Sequence, residues 1–424
     1  MAKAVFFTLP HHGHINPNIG LLEELVRRGE AVLCYSSAKY KGIVEAAGAR
    51  WREYRVDLEA FFFKKGEYGT DIPAQENEDI RFNIQKAFED IEALFGVGRD
   101  IYLKHCKEIL EYGADYFIYD SFAVWGKIFS DKLGIPAVCC ESLFVMTEEI
   151  FNAHIEYFIV YLIKNKSLDS VTPAEKKLAA DCMDYYSRRI QRKLAIRDFS
   201  FSGYFYSDYL NIVYLVKEMQ PMSHCIGDKF ALVGMDYNTG TDLQNKREEN
   251  RTPLIFISRG TIHGSEAMEV FNKCISVLGG MDCRVIISTG GCTAGTQFKD
   301  LPSNIKVFDF VNQKQLLKEA DIFITHGGLT GVREAIFNGV PMLLYPETTD
   351  QYIASRQIAQ AGAGIWLKSK PFCCAELENA IEKILKTQEY RENVKLLKAG
   401  FESAGGYGRS VEKIFDFKKA VNIL

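Results

Sequence analysis

The residues best placed to do chemistry lie together in Thr325-His326-Gly327-Gly328-Leu329-Thr330-Gly331-Val332-Arg333-Glu334, directly after an apolar run, Ile322-Phe323-Ile324. Two glycines at a strand end let backbone N–H groups approach an anion. A helix beginning near Leu329 turns its positive end toward the same spot. His326 can donate to a phosphate oxygen, and Glu334, one turn into that helix, is placed for bidentate bonds to adjacent ribose hydroxyls. The next strand, Met342-Leu343-Leu344, leads to Pro346-Glu347-Thr348-Thr349-Asp350-Gln351, where the Asp350 carboxylate and the Gln351 amide can hold sugar hydroxyls. Taken singly, the histidine caps a helix and the glutamate is solvated. Taken in order, the set supplies phosphate, ribose and sugar contacts in the succession a nucleotide sugar requires.

Such a loop belongs at the carboxyl end of a strand in a parallel sheet, and the chain carries two series of the βα units that build one. Ala4-Val5-Phe6-Phe7-Thr8-Leu9 is a continuous apolar run bounded by Pro10, as a strand buried on both faces should be. Asn16-Pro17 predicts a helix start, with a capping side chain and a proline in the first turn. Ile19, Leu22, Leu25 and Val26 share one face of that helix, Gly29 ends it, and Ala31-Val32-Leu33-Cys34-Tyr35 is the next strand. Further strands are expected at Tyr116-Phe117-Ile118-Tyr119, ending at Asp120, and at Ile135-Pro136-Ala137-Val138, with a helix over 123–133 between them. Over 57–110 and 141–200 the rhythm gives way to long helical, aromatic-rich stretches, and 211–216 restores a strand.

Residues 236–252 are almost entirely polar and predict a linker between domains. A second series follows, with strands at 254–257, 284–287, 305–307, 322–324 and 342–344. The residues from Ser410 onward predict an amphipathic helix. The fold class is α/β, two doubly wound Rossmann-like domains whose ligands sit at the carboxyl ends of strands, with the active site expected in the cleft between the domains. No dinucleotide fingerprint follows a first strand. The run Gly290-Gly291-Cys292-Thr293-Ala294-Gly295 lacks the spacing and reads as a loop, and no Gly-Lys-Thr/Ser occurs, which argues against nicotinamide, flavin and P-loop chemistry.

Whole-chain properties narrow the partners. With 424 residues the chain suits two domains. Its 51 basic and 55 acidic residues are spread along the chain for a net charge of -4, with no basic run to neutralise nucleic acid. The seven residues between Lys3 and His11 are too few for a signal-peptide core, and no stretch approaches the ~20 apolar residues of a spanning helix. A cytoplasmic protein without stable membrane insertion is expected. Eleven cysteines, scattered and without a Cys-x-x-Cys, indicate reduced, mostly buried thiols rather than a zinc site or a disulfide framework.

The segment from Leu301 to Gly364 resembles the donor-binding signature of family 1 glycosyltransferases of the GT-B fold, in the subfamily typified by bacterial macrolide glycosyltransferases. Matches extend nearly end to end: Pro10-His11-His12-Gly13-His14-Ile15-Asn16-Pro17, Asp120 with Gly134-Ile135-Pro136, Leu210 to Val213, Gln220-Pro221, Phe230 to Gly234, and Ser258-Arg259-Gly260-Thr261. The resemblance implies an acceptor-binding domain over 1–234, a linker over 235–252, a nucleotide-sugar domain over 253–409, and a helix over 410–424 crossing back to the first domain. It implies His14 as a general base whose other nitrogen is held by Asp120. The expected reaction inverts the anomeric carbon of a UDP-sugar, UDP-glucose first, and needs neither cofactor nor metal. On the residues alone, His14 can instead cap a helix, or join His11 and His12 in a metal site.

The same resemblance adds Gln313, beside the uracil, and Val311 to the donor residues, with Ser258 and Thr261 near the diphosphate. Asn312 stands where the family has proline, leaving the backbone of Gln313 less constrained; Thr330-Gly331 stands where many relatives have Asn-Ser, and there a backbone amide can substitute for the missing side chains. Arg259 replaces an apolar residue, and the sequence leaves open whether it adds charge at the phosphates or points into the acceptor cleft. Phe63, Phe144 and Phe151, with Phe61, Phe62, Tyr157, Phe158, Phe201 and Tyr204, offer apolar surface for a small hydroxylated acceptor of polyketide, phenolic or flavonoid type, or alternatively pack as core. Two other readings share the scaffold: a UDP-sugar epimerase or hydrolase, and a non-catalytic helper. The helper reading predicts an eroded site, which this sequence does not have.

Overall fold

The computed structural model describes residues 2–63, 80–162, 168–196, 200, 203, 205–236, 251–260, 267–291, 298, 300–347, 349–369 and 371–423, without the side chains of 62, 63, 80, 161, 162, 267 and 349. These residues form two compact units. The first runs to Asp236 and takes back the chain from Phe401, and the second ends at Gly400.

The first unit contains β1 (Lys3–Phe7), α1 (His12–Arg27), β2 (Ala31–Ser36), α2 (Lys41–Ala46), β3 (Arg50–Glu53), α3 (Leu58–Phe63), α4 (Ile80–Tyr112), β4 (Tyr116–Asp120), α5 (Trp125–Leu133) and β5 (Ala137–Glu141). It continues with α6 (Glu148–Ala153), α7 (Ile155–Leu162), α8 (Pro173–Leu194), β6 (Leu210–Val213) and β7 (Phe230–Leu232). Its seven-stranded sheet has the order β3-β2-β1-β4-β5-β6-β7, with every pair parallel. β1, β4 and β5 are buried almost throughout, which is why they read as unbroken apolar runs rather than alternating ones. The order reverses direction between β1 and β4, so the crevice outside their carboxyl ends is where such a sheet binds ligand.

One expectation is corrected here. The first helix begins at His12, not at Asn16, because His11 provides the cap: its Nδ1 accepts the Gly13 N–H at 3.2 Å. Pro17 lies inside the helix, where it forgoes one i→i−4 bond. His12 and His14 are therefore helical residues and not part of a loop.

The second unit contains β8 (Leu254–Ser258), α9 (Ala267–Leu278), β9 (Arg284–Ser288), β10 (Ile305–Phe308), α10 (Gln313–Glu319), β11 (Ile322–Thr325), α11 (Leu329–Phe337), β12 (Met342–Leu344), α12 (Thr349–Gln360), β13 (Gly364–Trp366), α13 (Cys374–Lys386) and most of α14 (Glu389–Ala404). Its parallel sheet has the order β10-β9-β8-β11-β12-β13, with the reversal between β8 and β11. Each unit has its own apolar core, gathered around Phe6 and Ile118 in the first and around Ile257 and Ile324 in the second.

The last helix, α15 (Gly406–Ala420), starts ahead of Ser410 and packs in the first unit, its Val411, Ile414 and Phe417 joining that core. The Tyr407 hydroxyl donates to the Pro17 carbonyl at 2.8 Å, and its ring lies where a side chain on Gly20 would project, so α15 braces α1. Among the described residues no helix is long and apolar enough to cross a membrane. All ten described cysteines are free thiols, but only Cys34, Cys139, Cys140, Cys274 and Cys283 are buried, fewer than expected. The predicted loop over 292–295 and the linker over 237–250 lie outside the described residues.

Candidate active site

In the first unit the chain leaves β1 at the switch point and turns directly into α1, which sets His14 in the first turn beside the end of β4. The His14 Nδ1–H donates to Asp120 at 3.0 Å (Oδ1) and 3.1 Å (Oδ2). Asp120 is wholly buried and also accepts the Phe122 N–H at 3.0 Å. With Nδ1 committed to a carboxylate, Nε2 is the nitrogen that can take a proton. The imidazole sits edge-on to Phe122 with 14% of its side chain exposed, enough to meet a ligand.

Asn18, one turn on from His14, ties this pair to the sheet. Its amide donates to the His14 carbonyl at 2.7 Å and reaches Asp120 at 3.5 Å, and its Oδ1 accepts from the Tyr214 hydroxyl at 2.8 Å. The Ser142 hydroxyl also reaches Asp120 at 3.5 Å. Asn18, Tyr214 and Ser142 are not in the sequence reading. Starting the helix at His12 would have put Asn18 on the His14 face, but nothing local signals Tyr214. Glu141, buried at the end of β5, accepts the Leu143 N–H at 2.8 Å, and burial, aided by the charge of Asp120, pushes its carboxyl up to about 7.

His11 stands edge-on to His14, with ring centroids 5.9 Å apart. His11 is lowered to about 4 by burial and by the neighbouring His14 and His12, which keeps its capping lone pair free of a proton. His12 lies edge-on to Tyr40. Among the described residues no group of three or more His, Cys, Asp or Glu side chains is arranged to hold a metal ion.

Of the apolar acceptor candidates, Phe144 and Phe151 are buried, and Phe151 packs edge-on against Phe158, which in turn leans on Phe88 of α4. Phe151 is thus part of the packing among α4, α6 and α7. The side chains of Phe62 and Phe63, and residues Phe201 and Tyr204, lie outside the described residues.

The second unit gathers its candidates at the other switch point. β11 ends at Thr325, and Gly327 follows with φ +87, where a Cβ would stand 2.7 Å from Ser355 Oγ and 3.2 Å from the Gln351 carbonyl. Only glycine fits that space and that backbone. Gly328 occupies the cap position of α11 with no side chain on the helix's first N–H groups and no acidic residue in the first turn, so the positive end is uncompensated. A Cβ on Gly328 would lie 2.6 Å from His326 Nε2, and one on Gly260 2.9 Å from His326 Cε1, so the imidazole is cradled between two glycines. Thr330 is exposed and Gly331 half-buried in that first turn. Ser258, at the end of β8, is buried, its hydroxyl 3.4 Å from the Gly260 N–H, while Thr261 lies outside the described residues.

Gln313 and Glu334 come together: the Gln313 amide donates to Glu334 at 2.6 Å. Burial raises the Glu334 carboxyl, and the Gln313 amide opposes that. Asn312, in the place of a proline, caps α10 by accepting the Gln315 N–H at 3.1 Å. Val311 is half-buried just before it, and Phe310 is 69% exposed beside Gly291, an aromatic face the sequence reading passed over. Asp350 stands in the first turn of α12, and the Gln351 side chain accepts the Glu347 N–H at 2.9 Å. Arg259, the odd residue of its loop, has its partners within the second unit. It is buried, stacked over Tyr345 and ion-paired with Glu347.

A parallel sheet of this order in each of two units, with polar residues gathered at both switch points, defines the GT-B class of fold. Solved structures of that class superpose on it. The glycosyltransferase of kitacinnamycin gives a TM-score of 0.76 at 19% identity, covering 98% of both chains. CalG4, the calicheamicin glycosyltransferase, gives 0.72 at 20% identity over 99% of this chain and 98% of its own. Residues 272–405 match the C-terminal domain of erythromycin biosynthesis protein CIII-like proteins. The uncharacterized UDP-glucosyltransferase YojK of Bacillus subtilis (strain 168) is 26% identical over 99% of this chain and 98% of its own. Demethyllactenocin mycarosyltransferase of Streptomyces fradiae is 24% identical over 96% and 84%. The chain has the GT-B fold and is similar, nearly end to end, to family 1 glycosyltransferases.

Proposed function

We propose that the protein transfers a sugar from a UDP-sugar, UDP-glucose first, to a hydroxyl of a small, largely apolar acceptor of macrolide, phenolic or flavonoid type, inverting the anomeric carbon. The observation that carries this reading is the His14–Asp120 pair at the ligand end of a doubly wound sheet. His14 Nε2 takes the acceptor's hydroxyl proton as the oxygen attacks the anomeric carbon, and Asp120 stabilises the imidazolium that results. The bond from that carbon to the diphosphate breaks on the opposite face, and UDP leaves. The first N–H groups of α11, at Leu329, Thr330 and Gly331, together with His326 and the Gly327-Gly328 backbone, meet the charge growing on the leaving group. On this reading they carry the load without a metal. Glu334 holds the ribose, Gln313 and Val311 flank the base with Phe310 as a stacking face, Ser258 and Thr261 lie by the diphosphate, and Asp350 and Gln351 bind the sugar.

The names of two relatives support the finer choices, one an uncharacterized UDP-glucosyltransferase and one a demethyllactenocin mycarosyltransferase. The test is turnover of UDP-glucose with phenolic and macrolide acceptors by wild type and His14→Ala, with product stereochemistry read by NMR. The expected loss is on the order of 10²–10⁴-fold in kcat/KM. A folded His14→Ala protein that keeps the wild-type rate would end the proposal. Product formed from UDP-glucose without acceptor would instead favour an epimerase or hydrolase.

A further inference from the structure

In the second unit β8 and β12 lie on either side of β11, with Ser258, Thr325 and Leu344 in register across the three strands. One residue further on, Arg259 and Tyr345 therefore flank His326, the residue that opens the glycine loop. Arg259 spans that gap. Its guanidinium lies 5.3 Å over the Tyr345 ring and its Nη2 is ion-paired with Glu347 Oε1. Arg259 is 3% exposed and Glu347 14%, so the pair is largely withdrawn from water. Tyr345 is itself fixed edge-on against Phe372. Glu347 is fixed from the other side, because its N–H is held by the Gln351 side chain.

Such a pair is a poor way to add stability. Two charges taken out of water recover little more than they lose, and apolar residues of similar volume usually serve as well. What it supplies is registry. It fixes Tyr345 and Glu347, close ahead of Asp350 and Gln351, relative to the glycine loop.

We propose that Arg259, through Glu347, is a positioning residue for sugar selection: it sets the reach between the diphosphate seat and the sugar-binding segment, and with it which hexose is accepted. This rests on the transferase reading above. In this proposal Arg259 acts through Tyr345 and Glu347 and not on the phosphates.

The experiment is calorimetric binding of UDP, UDP-glucose and UDP-galactose, with steady-state kinetics for both sugars, on wild type, Arg259→Met, Glu347→Gln and the double variant Arg259→Met/Glu347→Leu. The double variant leaves no unpaired buried charge and is the one that keeps the test open if a single variant fails to fold. Expected are unchanged UDP affinity, within about twofold, a KM for UDP-glucose raised on the order of tenfold, and reduced discrimination between the two sugars. The double variant should be no worse than either single, because both break one device. A parallel fall in affinity for UDP alone would make Arg259 a phosphate ligand and overturn the proposal. Unchanged sugar discrimination, or additive effects in the double variant, would overturn it as well. The two readings fail separately: His14→Ala retaining full activity removes the transferase mechanism, whereas loss of activity there with sugar selectivity intact in all Arg259 variants removes only this inference.

Discussion

The two units have the same strand order about their switch points, yet they build their sites from opposite materials. In the first, the site is side chains bonded to side chains: His14 to Asp120, with Asn18 and Tyr214 behind them. In the second, the centre is backbone, a positive-φ glycine and the unblocked head of α11, with Gln313 donating to Glu334 and Gln351 accepting the Glu347 backbone N–H around it. The first arrangement suits moving a proton, where one nitrogen must be held in one tautomer. The second suits a diphosphate, which wants many N–H donors and no competing carboxylate. The contrast yields a rule for breaking them. The first site fails when atoms are taken away or exchanged, the second when atoms are added.

The largest effect is expected from Asp120→Asn. The shape is kept, but the amide can offer its NH₂ to His14 and favour the wrong tautomer, and no charge remains to stabilise the imidazolium. kcat should fall on the order of 10²–10⁴-fold with little change in UDP affinity. A drop confined to KM would mean that Asp120 only shapes the pocket. Gly327→Ala is the counterpart in the second unit. Its added methyl meets Ser355 Oγ at 2.7 Å on a backbone at φ +87, a strain of roughly 1–3 kcal/mol. UDP affinity by calorimetry should fall by about tenfold or more, with the acceptor side untouched. Ordinary UDP binding by this variant would remove the glycine loop from the donor site.

How legible each site was follows from the same contrast. The backbone site was readable because its parts are consecutive: a strand, two glycines, a helix head and a glutamate fall within Ile322 to Glu334, and strand and helix periodicity locates them. The central strands were readable because burial on both faces makes them apolar throughout, whereas β3, β7 and β13 at or near the sheet edges are partly exposed and carry no such run. The His14–Asp120 pair joins residues 106 apart, and only the family resemblance brought them together in advance. Asn18 is hidden in the sequence because its helix is capped by His11, a histidine in place of Ser, Thr or Asp being a weak capping signal. Tyr214 and Glu141 reach the site by strand order alone, which periodicity does not encode. Arg259 was visible as an odd residue, but its partner lies 88 residues on across a neighbouring strand.

The smallest effect separates what the first site needs for chemistry from what it tolerates. Glu141 is fully buried next to Asp120 and titrates at about 7, raised first by burial and then by the Asp120 charge. The other titratable groups around it are His14 of α1, Tyr206 ahead of β6, and its strand neighbours Cys139 and Cys140; burial pushes that phenol and both thiols up. A carboxyl whose folded value lies above its unfolded one destabilises the protein as pH rises. Below the unfolded value, 4.5, both states are protonated and nothing is lost. Between there and about 7 the unfolded chain ionises while the folded one does not, and stability falls by at most about 3 kcal/mol. Glu141→Gln keeps an oxygen for the Leu143 N–H and removes the titration. Its melting temperature relative to wild type should therefore climb through that window and level off above it. A difference that stays flat from pH 4.5 to 8 would mean Glu141 enters the folded state already ionised. The first unit would then hold two buried negative charges beside one imidazole, and the tidy division between a proton-handling site and a phosphate-binding one would need a second charged partner for His14.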